Sequence, residues 1–550
     1  MPHTTSRRLP ASLLAALGGV LTDTAFPDRS LWPLAFVGVA LLVLSIRRDS
    51  ARWAFAMGTV WGLGFFLPHL WWANYAVGAV PWVALALSQS LITGAGLAIW
   101  VWVRRGSHMQ RLHLMAAIPF ALVWVITEQV RQVWPFGGFP WGRLGFSQTD
   151  GPLLALASVA GAPLVSAAVV GIGYLLASAV VRLARMDLVR GPGALVAAFA
   201  LVGVSALIPL PTQAEEGTLR IGAVQGNVAT PGLDAFAQAR EVLDNHVSGT
   251  HNLLAEHGEG LDLIVWPENS SDYNPRVDEI AGAGVEEVLR AADVPLLMGT
   301  DRHAGDARFN EMVLWEPGQG DTFAYAKQIP AAFAEYIPMR DVARLFSPAV
   351  DLVRTDMVGG TAPAVVPVPA PALDRQVLVG TPICFEVAYD ALNREAVLAG
   401  AEVLLVPTNN ASFGFTAEST QQLAMSRLRA VEHGRATIQI STVGVSGVIT
   451  PNGVLTRTTE LFTPDHFATT VPLRSTLTIA DRIGDWPIIA STVAVLLLFG
   501  AGIVTGRSSR RAAAGSGTGR PRQGSAPRRG TSEGSRAGAP RRAVATKGTR

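Results

Sequence analysis

The sequence predicts a polytopic α-helical membrane protein of about eight transmembrane helices that carries an α/β domain outside the membrane. Three observations predict it. Of the 550 residues, 49% are hydrophobic and 16% charged, and the mean hydropathy of +0.32 is too high for a soluble enzyme of this length. Long apolar runs crowd the first 210 residues and return once near the end. Between them, short β-rich runs alternate with helical patterns, as in a sheet covered by helices.

Seven apolar runs open the chain, at about 9–27, 31–46, 53–70, 78–103, 112–130, 152–181 and 192–210, and an eighth covers 486–504. Each is near the ~20 residues that cross a ~30 Å hydrocarbon core. The first follows Arg7 and Arg8 but lacks a convincing small-residue cleavage site, so it reads as a span and not a signal peptide. Arginines orient the spans, because cytoplasmic loops keep an excess of basic residues. With the N-terminus inside, the inner loops hold Arg7, Arg8, Arg47, Arg48, Arg52, Arg104, Arg105, Arg111, Arg182, Arg185 and Arg190, and the outer loops hold Arg29, Arg131 and Arg143. Residue 211 then emerges outside, and the eighth span returns the chain to the cytoplasm.

The expected organisation is a seven-helix transmembrane domain (1–210), an extracytoplasmic α/β domain (211–482), a C-terminal span (483–505) and a disordered basic tail (506–550). Charge follows these boundaries. The net +2 is a cancellation of +8 over 1–210, −17 over 211–504 and +11 over 505–550. The tail lacks apolar periodicity and its charge suits anionic lipid, so no nucleic-acid partner is expected.

Within 211–482, strands are expected at 219–228, 261–268, 294–300, 311–317, 321–327, 376–386, 402–407, 436–444 and 466–473, and helices at about 234–256, 284–292, 387–399 and 417–434. Polar groups with chemical potential sit where three of these strands end: Glu268 after Leu-Ile-Val-Trp-Pro, Lys327 after Phe-Ala-Tyr-Ala, and Cys384 after Val-Gly-Thr-Pro-Ile. Strand ends of α/β sheets let side chains converge on a crevice. A thiol becomes a nucleophile when a base takes its proton and positive charge meets the developing anion. Singly, each residue has an ordinary explanation as a buried hydrophobe, a cap or a solvated cation. Scarcity sharpens two of them: Cys384 is the sole cysteine, and the 44 basic residues include just two lysines, Lys327 and Lys547. One cysteine excludes a disulfide framework and Cys-rich metal sites. With no HExxH, Walker loop or dinucleotide fingerprint, neither a metal nor a cofactor is expected.

Two membrane-side features also carry expectations. Phe136, Phe139, Trp141 and Phe146 form an aromatic cluster in an outer loop, where such rings favour the interface. Glu128 and Arg131 are spaced to pair across one helical turn. The apolar segment 331–350, beside Lys327, reads as a loop that covers the reacting centre and dips into the bilayer.

VWPEN at 265–269, the lysine after the Tyr325 strand, and PICFE at 382–386 resemble the three catalytic motifs of the nitrilase superfamily. That resemblance implies a nitrilase-like αββα sandwich with a Glu, Lys and Cys triad. Seven spans before such a domain and one after it resemble the bacterial apolipoprotein N-acyltransferase family. So do TEQVRQVWPFGGFPWGRLGFSQTDGPL at 127–153, VQGNV at 224–228 and AEYIP at 334–338.

The resemblance implies acyl transfer from a membrane phospholipid, through a thioester on Cys384, to the α-amino group of diacylglyceryl-cysteine on apolipoproteins. In it Glu268 is the general base, Lys327 stabilises thiolate and oxyanion, Glu335 positions the lysine, and Glu386 is a further required acid. The implied partners are phospholipid, apolipoprotein and bilayer, for a monomer in the bacterial cytoplasmic membrane with its catalytic domain outside. The sequence departs from the family in two places. KQIPAAFAE replaces the usual Lys-Arg-His-x-Val-Pro-Phe-Gly-Glu, and Ser412 of NNASFG stands where a tryptophan is usual. Both bear on acyl-donor preference, lipid entry and rate. The alternatives are a membrane-tethered nitrilase-type amidase acting on a small amide, and an inactive membrane scaffold.

Overall fold

The computed structural model describes residues 8–107, 114–228 and 239–515. Among the described residues, eight α-helices precede the first strand: α1 (Arg8–Asp23), α2 (Pro33–Ser45), α3 (Ala51–His69), α4 (Trp71–Val77), α5 (Ala79–Gly106), α6 (Ala117–Val133), α7 (Ala157–Leu183) and α8 (Arg190–Ala206). Four helical segments among the described residues are long and apolar enough to cross a bilayer: Ala79–Gly106, Leu114–Val133, Leu154–Leu183 and Trp486–Thr505. Lipid offers no hydrophobic drive between helices, so close backbone approach does the packing. At Gly62 of α3, a Cβ would sit 2.7 Å from Ser90 Cα of α5.

Two six-stranded sheets follow. The first contains β1 (Thr218–Gln225), β2 (Leu263–Val265), β3 (Leu296–Ala304), β4 (Ala307–Glu316) and β5 (Gly320–Ala326). The second contains β6 (Val365–Ala370), β7 (Arg375–Gly380), β8 (Val403–Thr408), β9 (Thr437–Ser441), β10 (Gly447–Ile449) and β11 (Leu455–Thr458). The last strand, β12 (Asp465–Pro472), returns to pair with β1, giving orders β12-β1-β2-β3-β4-β5 and β11-β10-β9-β8-β7-β6. Each sheet has a parallel centre, β1-β2-β3 or β7-β8-β9, flanked by antiparallel strands.

Alternating side chains build the layers. Ile221, Ala223, Val265, Leu297 and Leu314 of the first sheet meet Val366, Val377, Val379, Ile438 and Ile440 of the second. Val224, Ile264, Met298 and Val313 point the other way, onto α9 (Ala239–His257) and α10 (Glu279–Ala292) through Leu253, Val285 and Leu289. The second sheet is covered by α12 (Asp390–Leu398) and α13 (Glu418–His433), which completes the nitrilase-like αββα sandwich. The other α-helices among the described residues are the short α11 (Arg340–Arg344) and α14 (Ile479–Ile483) and the terminal α15 (Trp486–Gly515).

Helix α13 has a second role. Its Met425, Leu428 and Val431, with Val387, Ala388 and Val406, share one apolar core with Leu144, Phe146, Leu154 and Val165 of the membrane helices and their connections. Ion pairs lock this junction. Arg143 Nη1 donates to both Asp390 oxygens at 2.7 and 2.8 Å, and Arg429 Nη2 donates to Asp390 Oδ1 at 2.8 Å. Burial alone would raise the Asp390 carboxyl, but the two guanidinium groups hold it well below the usual carboxylate range. Arg429 also binds Glu432 and the carbonyls of Val387 and Ala388. At the kink of α7, Gly161 adopts φ +68°, and a Cβ there would lie 2.2 Å from Glu432 Oε1.

The structure departs from the sequence reading in several places. Strands β6, β10 and β11 were not anticipated: Pro367 and Pro369 argue against β6, which lies at a sheet edge where proline is tolerated, and β10 and β11 are only three and four residues long. The strand expected at 376–386 ends at Gly380, before the Cys384 turn. Arg131 does not bond Glu128: its Nε donates to Gln89 Oε1 and its Nη2 to the Trp141 carbonyl, while Glu128 Oε1 accepts from Trp124 Nε1 and the Leu144 amide. The segment 331–350 contains α11 and is not wholly a loop. Helix α15 continues to Gly515, past the expected boundary at 505, and the remainder of the expected tail, 516–550, lies outside the described residues.

Candidate active site

Three strand ends and one turn supply the site. Buried strand β2 delivers Glu268 three residues beyond its end, and Lys327 directly follows β5. After β7 the chain runs through Thr381, Pro382 and Ile383 into a 3₁₀ turn, Cys384–Ala388. Cys384 opens that turn at φ +54°. This left-handed conformation is costly for a side chain with a Cβ and persists only where the surroundings enforce it.

The structure brings Glu268, Lys327 and Glu335 into direct contact. Lys327 Nζ, 2% exposed, donates to Glu268 Oε1 at 3.1 Å and to Glu335 Oε1 at 2.8 Å. Burial pulls the Lys327 ammonium down, but the fields of Glu268, Glu335 and Cys384 prevail and hold it well above the ordinary lysine value. Each carboxylate is fixed independently. Glu268 Oε2 accepts the Asn409 amide at 2.8 Å, and Glu335 Oε2 accepts the Ala331 amide at 2.6 Å.

Cys384 is partly exposed, and its sulfur meets Thr408 Oγ1 at 3.3 Å and Gln422 Nε2 at 3.6 Å. Burial pushes the thiol up, Glu268 adds to that, and Lys327 opposes it. The resting group is therefore a thiol that needs a base, not a standing thiolate.

Glu386 does not face the reacting groups. Its Oε1 accepts the Gln328 and Ile329 amides at 2.6 and 3.0 Å, its Oε2 accepts the Ile383 amide at 2.8 Å, and Tyr325 Oη donates to both oxygens. One side chain thus ties the Cys384 turn to the chain on both sides of Lys327. Burial pushes its carboxyl up to about 7, against Lys327 and the backbone donors.

Sequence reasoning missed Asn310, whose Nδ2 donates to Glu268 Oε1 at 2.7 Å and to Glu335 Oε1 at 3.4 Å. A polar residue just before the apolar run Met312–Trp315 of β4 was its one signal. Thr408, Asn410, Glu418 and Gln422 were also missed. Gln421 and Gln422 stand out only as a buried polar pair on α13.

The site abuts the membrane helices. Phe385, next to the cysteine, stacks on Phe139 and Trp141, with ring centroids 5.9 and 6.0 Å apart. Of the expected aromatic cluster, Phe139 and Trp141 lie here and Phe136 packs edge-on against Phe333. Phe146 is elsewhere, beneath Arg143 and Arg429. Ser412 lies in the short 3₁₀ turn Ala411–Phe413, whose Phe413 packs edge-on against Trp72.

Residues 18–175 match the family model for the apolipoprotein N-acyltransferase N-terminal domain, and residues 220–479 match that for carbon-nitrogen hydrolase. The chain is 39% identical to apolipoprotein N-acyltransferase of Mycolicibacterium smegmatis, over 90% of this chain and 84% of that protein. It is 31% identical to the enzyme of the same name from Azotobacter vinelandii, over 92% and 97% respectively. Among solved structures, an amidase of the nitrilase superfamily from Nesterenkonia AN1 aligns over 48% of this chain and 94% of its own, at 17% identity and a TM-score of 0.35. With both halves of the chain matched and relatives similar over nearly their whole length, the chain belongs to the apolipoprotein N-acyltransferase family.

Proposed function

We propose that this acyltransferase N-acylates lipoproteins by a ping-pong reaction in which Cys384 carries the acyl chain as a thioester and a membrane phospholipid donates it. The observation that carries the reading is the convergence of Glu268 and Lys327 beside a cysteine whose neighbour Phe385 packs on the membrane domain. A soluble amide gives no reason for that contact, which disfavours the tethered amidase.

In the first half-reaction Glu268 takes the thiol proton as sulfur attacks the ester carbonyl. Two of the three Lys327 N–H donors are committed to Glu268 and Glu335, and the third meets the oxyanion. Collapse expels the lysophospholipid alkoxide, which takes the proton back from Glu268. In the second half the lipoprotein α-amine attacks the thioester, Glu268 accepts its proton, and Cys384 leaves and is reprotonated as the amide forms. Glu335 and Asn310 fix the lysine and the base, and Glu386 fixes the turn.

The eight-span topology, with 211–482 as an extracytoplasmic domain in the cytoplasmic membrane, is part of this proposal. The connections expected outside all meet the catalytic domain: Asp28 accepts from Thr420, Trp72 packs on Phe413, and Arg427 donates to Asp150. Those expected inside pair with one another, Arg104 and Arg105 binding Asp49. Segment 331–350 supports lipid entry: Leu345 is 81% exposed and Phe346 67%, while Tyr336 Oη donates to the Phe136 carbonyl. We assign the working unit as a monomer.

Detergent-purified protein incubated with phospholipid, then with a diacylglyceryl-cysteine peptide, tests the proposal by mass spectrometry. An acyl adduct on Cys384 that moves to the peptide amine is expected. Discharge to water alone would favour the amidase, and no adduct would contradict the proposal.

A further inference from the structure

Beneath the Cys384 sulfur lies a closed polar chain with no role in the scheme above. Thr408, Asn410, Glu418, Gln422 and Ser441 are all buried and come from the end of β8, the following loop, the first two turns of α13 and the end of β9. Hydrogen bonds fix which way each amide faces. Ser441 Oγ accepts the Gly444 amide at 2.7 Å and donates to Asn410 Oδ1 at 2.6 Å. Asn410 must therefore present its Nδ2, which donates to Glu418 Oε2 at 2.7 Å and Gln422 Oε1 at 3.0 Å. Gln422 Oε1 also accepts Thr408 Oγ1 at 2.8 Å, so Gln422 Nε2 is left facing Sγ.

We infer that Gln422 and Thr408 form a thiolate-binding site for Cys384, held in register by Asn410 and Glu418 as positioning residues; this rests on the proposed nucleophilic role of Cys384. In the thiol state the Thr408 hydroxyl donates to Gln422 Oε1. When Glu268 removes the S–H proton, the hydroxyl turns to Sγ, 3.3 Å away, and joins Gln422 Nε2 in donating to the anion. No proton is gained or lost in that turn. The arrangement answers a specific need: burial and Glu268 both raise the thiol, Glu418 adds to them, and Lys327 opposes them. Donors that meet sulfur only once it is charged favour the thiolate without drawing on the lysine.

The sole cysteine makes the test direct, because iodoacetamide alkylation of the full-length protein reads Cys384 alone. Thr408→Val and Gln422→Met keep shape and remove a donor each. From the strength of hydrogen bonds to charged groups, each is expected to shift the alkylation midpoint upward by about one pH unit and slow alkylation near neutrality roughly tenfold. Asn410→Leu, which does not touch sulfur but removes the donor that holds Gln422 Oε1, is expected to shift it the same way, and Thr408→Ser to restore it. Phospholipid kcat should fall with KM little changed. Unmoved midpoints in Thr408→Val and Gln422→Met would overturn the inference. Alkylation needs no acyl donor, so wild type that alkylates normally but never acquires an acyl group would instead contradict the proposed function.

Discussion

At Lys327 two carboxylates compete for one ammonium, and the roles proposed for them differ in what their loss should do. Glu268→Gln keeps the contacts with Asn310 and Lys327 but removes the base, so transfer is expected to fall about 10²–10⁴-fold while Cys384 still alkylates at high pH. Glu335→Gln leaves the base and weakens the lysine's position, so a smaller loss of kcat is expected. Steady-state transfer to a diacylglyceryl peptide checks both. Glu418 carries a separate pH signature. Burial, with Glu268 adding to it and Asn410 opposing it, raises its carboxyl from 4.5 to about 8. Between those values the folded state holds a proton that the unfolded state has lost. Its contribution is therefore complete below about 4.5 and lost as pH rises through about 8. Thermal melts are expected to show a stability decline over that range that Glu418→Gln flattens. Strand ends marked Glu268, Lys327 and Cys384 as candidates in the sequence, and scarcity sharpened the last two, whereas Glu335 and Glu386 came from the family resemblance alone. Asn310, Thr408 and Gln422 were not: each is a neutral polar residue in an otherwise ordinary strand or helix, and its meaning comes from what the other sheet or the turn brings against it.

Among the elements, α13 does the most joining. One face supplies Gln422 to the cysteine, and others supply Arg429 and Gln421 to the membrane side, where Gln421 Oε1 accepts Trp141 Nε1 at 2.6 Å. Arg143→Met removes one of the two cations on Asp390 but leaves Arg429 paired with it, so the expected cost is about 1–3 kcal/mol, short of that for a stranded buried charge. A lowered midpoint of heat-induced aggregation in detergent reads this. Gly161→Ala would press a methyl group onto Glu432 at a positive φ, and should lower the same midpoint. Periodicity located β1 and β8 well, since continuous apolar strands announce themselves, but ran β7 six residues past its end at Gly380. It missed β6, whose prolines forbid a central strand but not an edge, and the short strands β10 and β11, and it paired Glu128 with Arg131 by spacing alone. The helix interior instead offered Arg131 a buried glutamine and a carbonyl from another segment.

Across the whole molecule, hydropathy and charge separate a basic membrane-embedded part from an acidic domain, and both were readable as segments of the chain. How the two meet was not readable. The junction is made by Asp390, Arg429 and the aromatic pair Phe139 and Trp141, residues scattered over nearly 300 positions that no local pattern connects. That junction puts Phe385, and with it Cys384, against the membrane helices, which is why a lipid acyl donor and a lipid-anchored acceptor suit the site. Replacing Leu345 and Phe346 together by Asp is expected to raise KM for phospholipid in vesicles several-fold while leaving the Cys384 alkylation midpoint in place. The most direct measurement follows a single turnover: protein preloaded from phospholipid, freed of donor, then mixed with diacylglyceryl-cysteine peptide or with buffer. The proposed mechanism predicts an acyl mass on Cys384, absent in Cys384→Ala, that passes to the peptide amine far faster than to water. A peptide that becomes acylated while Cys384 never carries the acyl group would contradict it.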